Sequence, residues 1–194
     1  MYGSSALCEP GQCSSCWAFA VAANLESAYL KTHRKRLDLS EQVLVDCAGP
    51  YNDSGECSAG TSYMAFRYIY YNGVGSEEEY PYGAAYYGCP SPLPKWVAAL
   101  RGYCIRGLNR YGPYSNTVFE RVTDAEMERA VAYFGPVSVC LNSDKLQHYK
   151  GGIFDEPNCP RKITHMVLLV GYTPTAWILK NRLLELDLSC ASTC

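Results

Sequence analysis

Neither sign of charge dominates this sequence. Its 17 lysines and arginines stand against 19 aspartates and glutamates, for a net charge of −2, which argues against nucleic acid as the main partner. No apolar stretch approaches the length of a membrane span, so no membrane role is expected. The opening Met1-Tyr2-Gly3-Ser4-Ser5-Ala6-Leu7-Cys8 has neither a basic nor an apolar region, so no signal peptide is read there. Internal repeats and low-complexity tracts are missing, which argues against a repeat architecture. Histidine is scarce: His33, His148 and His165 are the three residues available for any imidazole chemistry.

Cysteine, by contrast, is abundant. Eleven cysteines are too many for a cytosolic protein without metal, so an oxidising or endolysosomal route is expected. The odd count leaves at least one thiol outside any intramolecular disulfide. Cysteine content and the absence of a signal peptide conflict, and they are reconciled if the chain begins inside a longer protein. With 194 residues, 48% hydrophobic and 19% charged, the chain can bury a core as one domain or two small ones.

The stretch Gly11-Gln12-Cys13-Ser14-Ser15-Cys16-Trp17-Ala18-Phe19 organises the rest. Every side chain from Trp17 to Ala23 is apolar, too apolar all round for a surface helix, so this segment should run through the core. Ser14 and Ser15 are N-cap candidates, which places Cys16 in the first turn. There the positive end of the helix favours a thiolate, a nucleophile that needs a base. Farther on the helix turns amphipathic, with Leu25, Ala28 and Tyr29 expected inward and Glu26, Ser27 and Lys31 outward. His33-Arg34-Lys35-Arg36 reads as solvated cations suited to a helix C-terminus.

Ser40 is the expected N-cap of a second helix, which starts at Glu41 and closes at Val45-Asp46-Cys47-Ala48-Gly49-Pro50. Asn52-Asp53-Ser54 matches the three-residue glycosylation sequon. A third helix is predicted from Tyr63 to Tyr71, stopped by Asn72-Gly73. Pro90 to Pro94 read as a proline-rich linker. Beyond it, strands are predicted at Tyr103-Cys104-Ile105, Val137 to Leu141, His165 to Tyr172 and Ala176 to Lys180. A helix from Asp124 to Phe134, capped by Thr123 or Asp124 and stopped at Gly135-Pro136, interrupts them. Helices first and strands later indicate an α+β fold.

Cys13-Ser14-Ser15-Cys16-Trp17 resembles the nucleophile motif of the papain-like cysteine peptidases, whose His and Asn lie about 130–150 residues downstream. His165 is 149 residues on (165 − 16) and Asn181 is 165 on (181 − 16). Further collinear segments are similar to the same family: Leu39 to Cys47, Glu79-Tyr80-Pro81-Tyr82, Tyr149 to Phe154 with Cys159, His165 to Tyr172, and Trp177 to Asn181. The resemblance covers about Gly11 to Asn181. The run from Glu26 to Leu30, with Leu37 to Ser40, looks most like the mite digestive peptidases known as allergens.

That resemblance implies a papain-like two-lobed fold with a cleft between the lobes. Residues 1–94 would form a helical lobe carrying the nucleophile, and residues 95–194 a β-rich lobe, its barrel incomplete, carrying His and Asn. The implied catalytic residues are Cys16, His165 and Asn181. The implied substrate-binding residues are Gly60, Thr61, Ser62, Cys140, Ile163 and Met166. Gly60 would pair with substrate backbone, and Met166 would make the pocket shallow, favouring modest apolar side chains. Cys140 reads equally as a buried core thiol. Cys13 would pair with Cys57, Cys47 with Cys89, and Cys159 with a late cysteine such as Cys190. Neither cofactor nor metal is implied. The partners implied are peptide or protein substrates, cystatin-type inhibitors and a propeptide outside this chain, in a secreted or lysosomal setting.

Four departures from the family pattern stand out. Pro10 occupies the place, six residues before Cys16, where the family has its oxyanion Gln. Ala59 replaces a Gly, Leu183 replaces a Trp, and Leu186 to Cys194 resembles nothing in the family. Pro10, Thr164, Leu183 and the altered tail support a second reading, an inactive paralogue acting as a binding protein. A third, Cys13-x-x-Cys16 as a redox or metal pair, lacks both a βαβ setting and a second ligand pair.

Overall fold

The computed structural model describes residues 13–48, 57, 60–104, 108–109, 118–119, 122–146, 149–158, 162–181 and 185–188. Pro10, Gln12, Asn52, Ala59, His148, Cys159, Leu183 and Cys190 lie outside them. Helix α1, Cys16–His33, buries Trp17, Ala18, Ala20, Val21, Ala22 and Leu25, as its apolar first half predicts. Its second half departs from the expected pattern. Ala28 is exposed, and Glu26 is drawn inward because its carboxylate accepts the Leu39 N–H at 2.9 Å.

Helix α2, Glu41–Cys47, buries every residue from Gln42 onward. Ser40 is its N-cap, its hydroxyl accepting the Val43 N–H at 3.1 Å and donating to Tyr80 O at 2.6 Å. Buried Asp46 is affordable because its carboxylate accepts from Gln42 Nε2 at 3.0 Å, Tyr80 O–H at 2.9 Å and Tyr87 N–H at 2.9 Å. Disulfides Cys13–Cys57 and Cys47–Cys89 close this half of the chain, with the connectivity the resemblance implied. Helix α3, Ser62–Asn72, one residue longer at each end than predicted, is capped by Thr61 and ends at Gly73 with φ 72°, a left-handed conformation that favours glycine.

The predicted strand at Tyr103-Cys104 does not form; Ile105 lies outside the described residues. Tyr103 instead stacks on Phe66 of α3 at 6.0 Å and meets Tyr70 edge-on. The aromatic ring that suggested a strand is spent on packing against a helix. Short strands β1, Leu108–Asn109, and β2, Val118–Phe119, pair with each other. Helix α4, Asp124–Phe134, opens with a full capping box between Thr123 and Glu126.

Strands β3 (Val137–Leu141), β4 (Ile153–Phe154), β5 (His165–Tyr172), β6 (Trp177–Lys180) and β7 (Glu185–Leu188) form one sheet in the order β3-β5-β6-β7-β4. All pairings are antiparallel except β4 with β7. The tail thus contributes a strand, β7, to the sheet, although its sequence matches no family segment.

Two buried clusters result. One gathers Trp17, Val21, Leu25, Leu39, Leu44 and Ile69 among others. The second gathers Val131, Leu141, Val167, Leu169, Trp177 and Leu179. Each fully buried Leu, Ile or Val contributes about 1.5–3 kcal/mol. Alternation along β5 divides the faces. Val167 and Leu169 enter the second cluster, while Met166 packs on the first. Helix α1 lies along β3 and β5, where Ser138 Oγ donates to Ala20 O at 2.9 Å and Asn24 Nδ2 to Pro136 O at 3.2 Å. The sheet therefore meets α1 at the strand that begins with His165.

Candidate active site

Cys16 is the first residue of α1 and keeps its thiol half-buried. Its neighbour Cys13 is bonded to Cys57, so a Cys13–Cys16 redox pair is not formed. The cap differs from the expected one. Ser15 occupies the N-cap position with φ −96° and ψ 8°, yet its side chain caps nothing. Its hydroxyl instead contacts Cys13 O at 3.4 Å and hydrogen-bonds the Tyr82 hydroxyl. Ser15 O accepts the Ala18 and Phe19 N–H groups at 2.9 and 3.2 Å.

His165 opens β5 and is only 4% exposed. The residue before it is pinned twice. Thr164 N–H donates to Leu141 O at 3.0 Å, and Thr164 Oγ1 accepts the Ser143 N–H at 2.9 Å. His165 Nε2 lies 3.1 Å from Asn181 Oδ1. An amide oxygen only accepts, so Nε2 carries the proton and donates. In the neutral ring Nδ1 is then the basic nitrogen. Asn181 directly follows β6, which pairs with β5. Trp17 and Met166, the next residues after Cys16 and His165, belong to the same packed cluster. Of the other histidines, His33 is exposed and stacked on Tyr29 at 4.1 Å.

The remaining candidates are spread over three elements. Gly60 is pressed against the Trp17 indole, and a Cβ there would enter the ring. This close approach supplies a packing reason for glycine that does not involve substrate. Thr61 Oγ1 caps α3 by accepting the Met64 N–H at 3.3 Å, and Ser62 is that helix's first residue. Cys140 and Met166 face each other across β3 and β5. Burial pushes the Cys140 thiol up to about 11, so it is a poor nucleophile. Ile163, before β5, is 37% exposed.

Sequence reasoning missed a second group of ionisable residues behind α1 and α2. Glu26, Asp38, Glu41 and Glu77 lie close enough to repel one another. Burial first, then the neighbouring carboxylates Glu77, Glu26 and Asp38, push Glu41 up to about 8. Glu26 is raised by burial, opposed by its Leu39 bond and by Lys180. Glu77 Oε1 accepts the Tyr82 N–H at 2.7 Å, while its buried Oε2 has no hydrogen-bond partner among the described residues. The only trace in the sequence is the acidic spacing around two capped helices.

An α+β chain with a thiol heading a buried helix, and an amide-held imidazole opening the strand that helix packs on, has the architecture of a papain-like protein. The model of the family described as papain family cysteine protease matches residues 5–183, and the chain belongs to that family. It is 36% identical over 182 residues to pro-cathepsin H of Medicago truncatula, covering 89% of this chain and 48% of that protein. It is 32% identical over 179 residues to a cathepsin L-like proteinase of Fasciola hepatica, covering 89% and 51%. The chain thus spans about half the length of the curated relatives it matches. Among solved structures, digestive procathepsin L 3 of the Tenebrio molitor larval midgut superposes with TM-score 0.74 at 29% identity, covering 94% of this chain and 60% of that one. The bromelain protease of Ananas comosus, in complex with the E-64 inhibitor, gives TM-score 0.74 at 29% identity, covering 91% and 80%.

Proposed function

We propose that the chain is the catalytic domain of a cysteine-type endopeptidase, with Cys16 as nucleophile, His165 as acid–base and Asn181 as orienting partner. The observation that carries this reading is the half-buried His165 Nε2–Asn181 Oδ1 hydrogen bond at 3.1 Å. It leaves Nδ1 as the nitrogen that exchanges a proton with a thiol. Family membership supports a peptide substrate.

In this reading the Cys16 thiolate attacks the scissile carbonyl carbon, and the electrons of the C=O bond move onto oxygen. The Cys16 backbone N–H, at the head of α1, donates to that oxyanion. As the tetrahedral species collapses, the C–N bond breaks and the His165 imidazolium protonates the leaving amine. Water, deprotonated by the regenerated imidazole, then hydrolyses the thioester. Gly60 offers substrate a backbone edge, and Met166 with Cys140 limits the depth of the main specificity pocket. With Pro10 in the place of the family's Gln, a side-chain oxyanion donor is lost. Such a loss costs about 2.7–4 kcal/mol, or roughly 10² to 10³ in turnover. Two disulfides favour an oxidising, secretory or lysosomal setting. Residues 1–94 and 95–194 would act as the two walls of the cleft.

Mass spectrometry after treatment with an irreversible epoxide, beside a Cys16→Ala control, tests this. One adduct on Cys16, formed faster than on a free thiol, is expected. Folded protein without an adduct would overturn the reading in favour of an inactive paralogue that binds peptides, the alternative to which Pro10 points.

A further inference from the structure

We infer that Tyr82 is a positioning residue for the nucleophile: by holding the Ser15 hydroxyl away from the first turn of α1, it keeps the helix's positive end available to the Cys16 thiolate. This rests on the proposed nucleophilic role of Cys16.

Ser is among the best N-cap residues, and its ordinary choice is to accept an N–H from the second or third helical position. Ser15 stands at the N-cap, yet it does not do so. Its hydroxyl instead reaches Cys13 O at 3.4 Å and shares a hydrogen bond with the Tyr82 hydroxyl, in which either oxygen can donate. Ser15 is buried, so water does not compete with Tyr82 for that hydroxyl. Its backbone lies in the sparsely populated bridge region, not the extended region usual for a capping serine.

Tyr82 can perform this role because it is itself fixed. Its N–H donates to Glu77 Oε1 at 2.7 Å. Its ring meets Phe19 of α1 edge-on, centroids 4.8 Å apart and planes at 78°. Glu77 is tied back to Asp38 O through its own N–H at 3.0 Å. The hydroxyl is thus delivered to the residue before the nucleophile by a chain of contacts anchored on α1 itself. A capping oxygen would place partial negative charge where a thiolate needs positive charge. Tyr82 removes that competitor.

The test is the pH dependence of Cys16 alkylation, by iodoacetamide and by the E-64 epoxide, in the full chain. Tyr82→Phe keeps the ring and its packing on Phe19 but releases the Ser15 hydroxyl from its Tyr82 partner. Its alkylation rate near pH 5 should fall about two- to fivefold, the size of a helix-terminus charge effect, with the acid limb moved to higher pH. Adding Ser15→Ala removes the freed hydroxyl and should restore the limb toward wild type without restoring Tm. A purely structural role would show no such rescue. Ser15→Ala alone should cost less reactivity than Tyr82→Phe. Superposable wild-type and Tyr82→Phe profiles, or a double variant as slow as Tyr82→Phe, would overturn the inference. A wild-type Cys16 no faster than a free thiol would instead overturn the functional reading on which it rests.

Discussion

The indole of Trp17 occupies the space that any Cβ on Gly60 would need. Trp17 follows the proposed nucleophile, and Gly60 precedes the cap of α3. Gly60→Ala must therefore push the ring back into the buried cluster. Overpacking of this kind costs about 1–3 kcal/mol. Denaturant unfolding should show that loss, together with slower alkylation of Cys16 in the folded protein.

Acidity should stabilise the fold. A carboxyl raised from its ordinary value to about 8, as Glu41 is, binds more protons folded than unfolded between about 4.5 and 8. Stability then falls as pH rises through that window and is fully present below it. Glu26, also raised, adds in the same direction. Thermal melts should give a higher Tm at pH 5 than at pH 7.5, and Glu41→Gln should flatten the slope, chiefly by stabilising the protein at the higher pH.

Asn181→Ala deletes the acceptor of His165 Nε2–H. The imidazole then loses that orienting contact, and a lost hydrogen bond of ordinary strength lowers kcat/KM by about tenfold. His165→Ala removes the proposed acid–base and should cost about 10² to 10⁴. Peptide hydrolysis measured on both variants tests the order, with Asn181→Ala expected to remain the more active.

Thiol chemistry should separate three cysteines. Cys104 is exposed, and Cys140 is half-buried with its thiol raised to about 11. Timed alkylation with peptide mapping should label Cys16 first, Cys104 next and Cys140 last, since the thiolate is the reacting species. Rapid labelling of Cys140 in folded protein would contradict its burial.

Much of this architecture was legible in the residues, for identifiable reasons. The apolar run after Cys16 demanded a buried helix. Thr123 and Gly135 are punctuation whose local chemistry does not depend on distant partners. Strands β3 and β5 have the bounds predicted, because each is a largely apolar run carrying two valines and bounded by turn residues. Where the reading failed, a long-range contact overrode a local preference. Ser15 had every qualification for capping, but Tyr82, 67 residues away, took its hydroxyl. Glu26 was placed in water, but Leu39 N–H drew it in. Tyr103 suggested a strand, but Phe66 claimed its ring. The parallel pairing of β4 with β7 had no signal in periodicity, which cannot report strand direction.

Strand β5 contributes Met166 to the packing of one buried cluster and Val167 with Leu169 to the other. Because a single backbone segment is common to both, melting of either cluster disturbs the strand on which the other packs. Unfolding should therefore be all-or-none, with calorimetric and van't Hoff enthalpies in agreement. His165 begins that shared strand, so its imidazole should keep its geometry up to the onset of the global transition and lose it together with both cores.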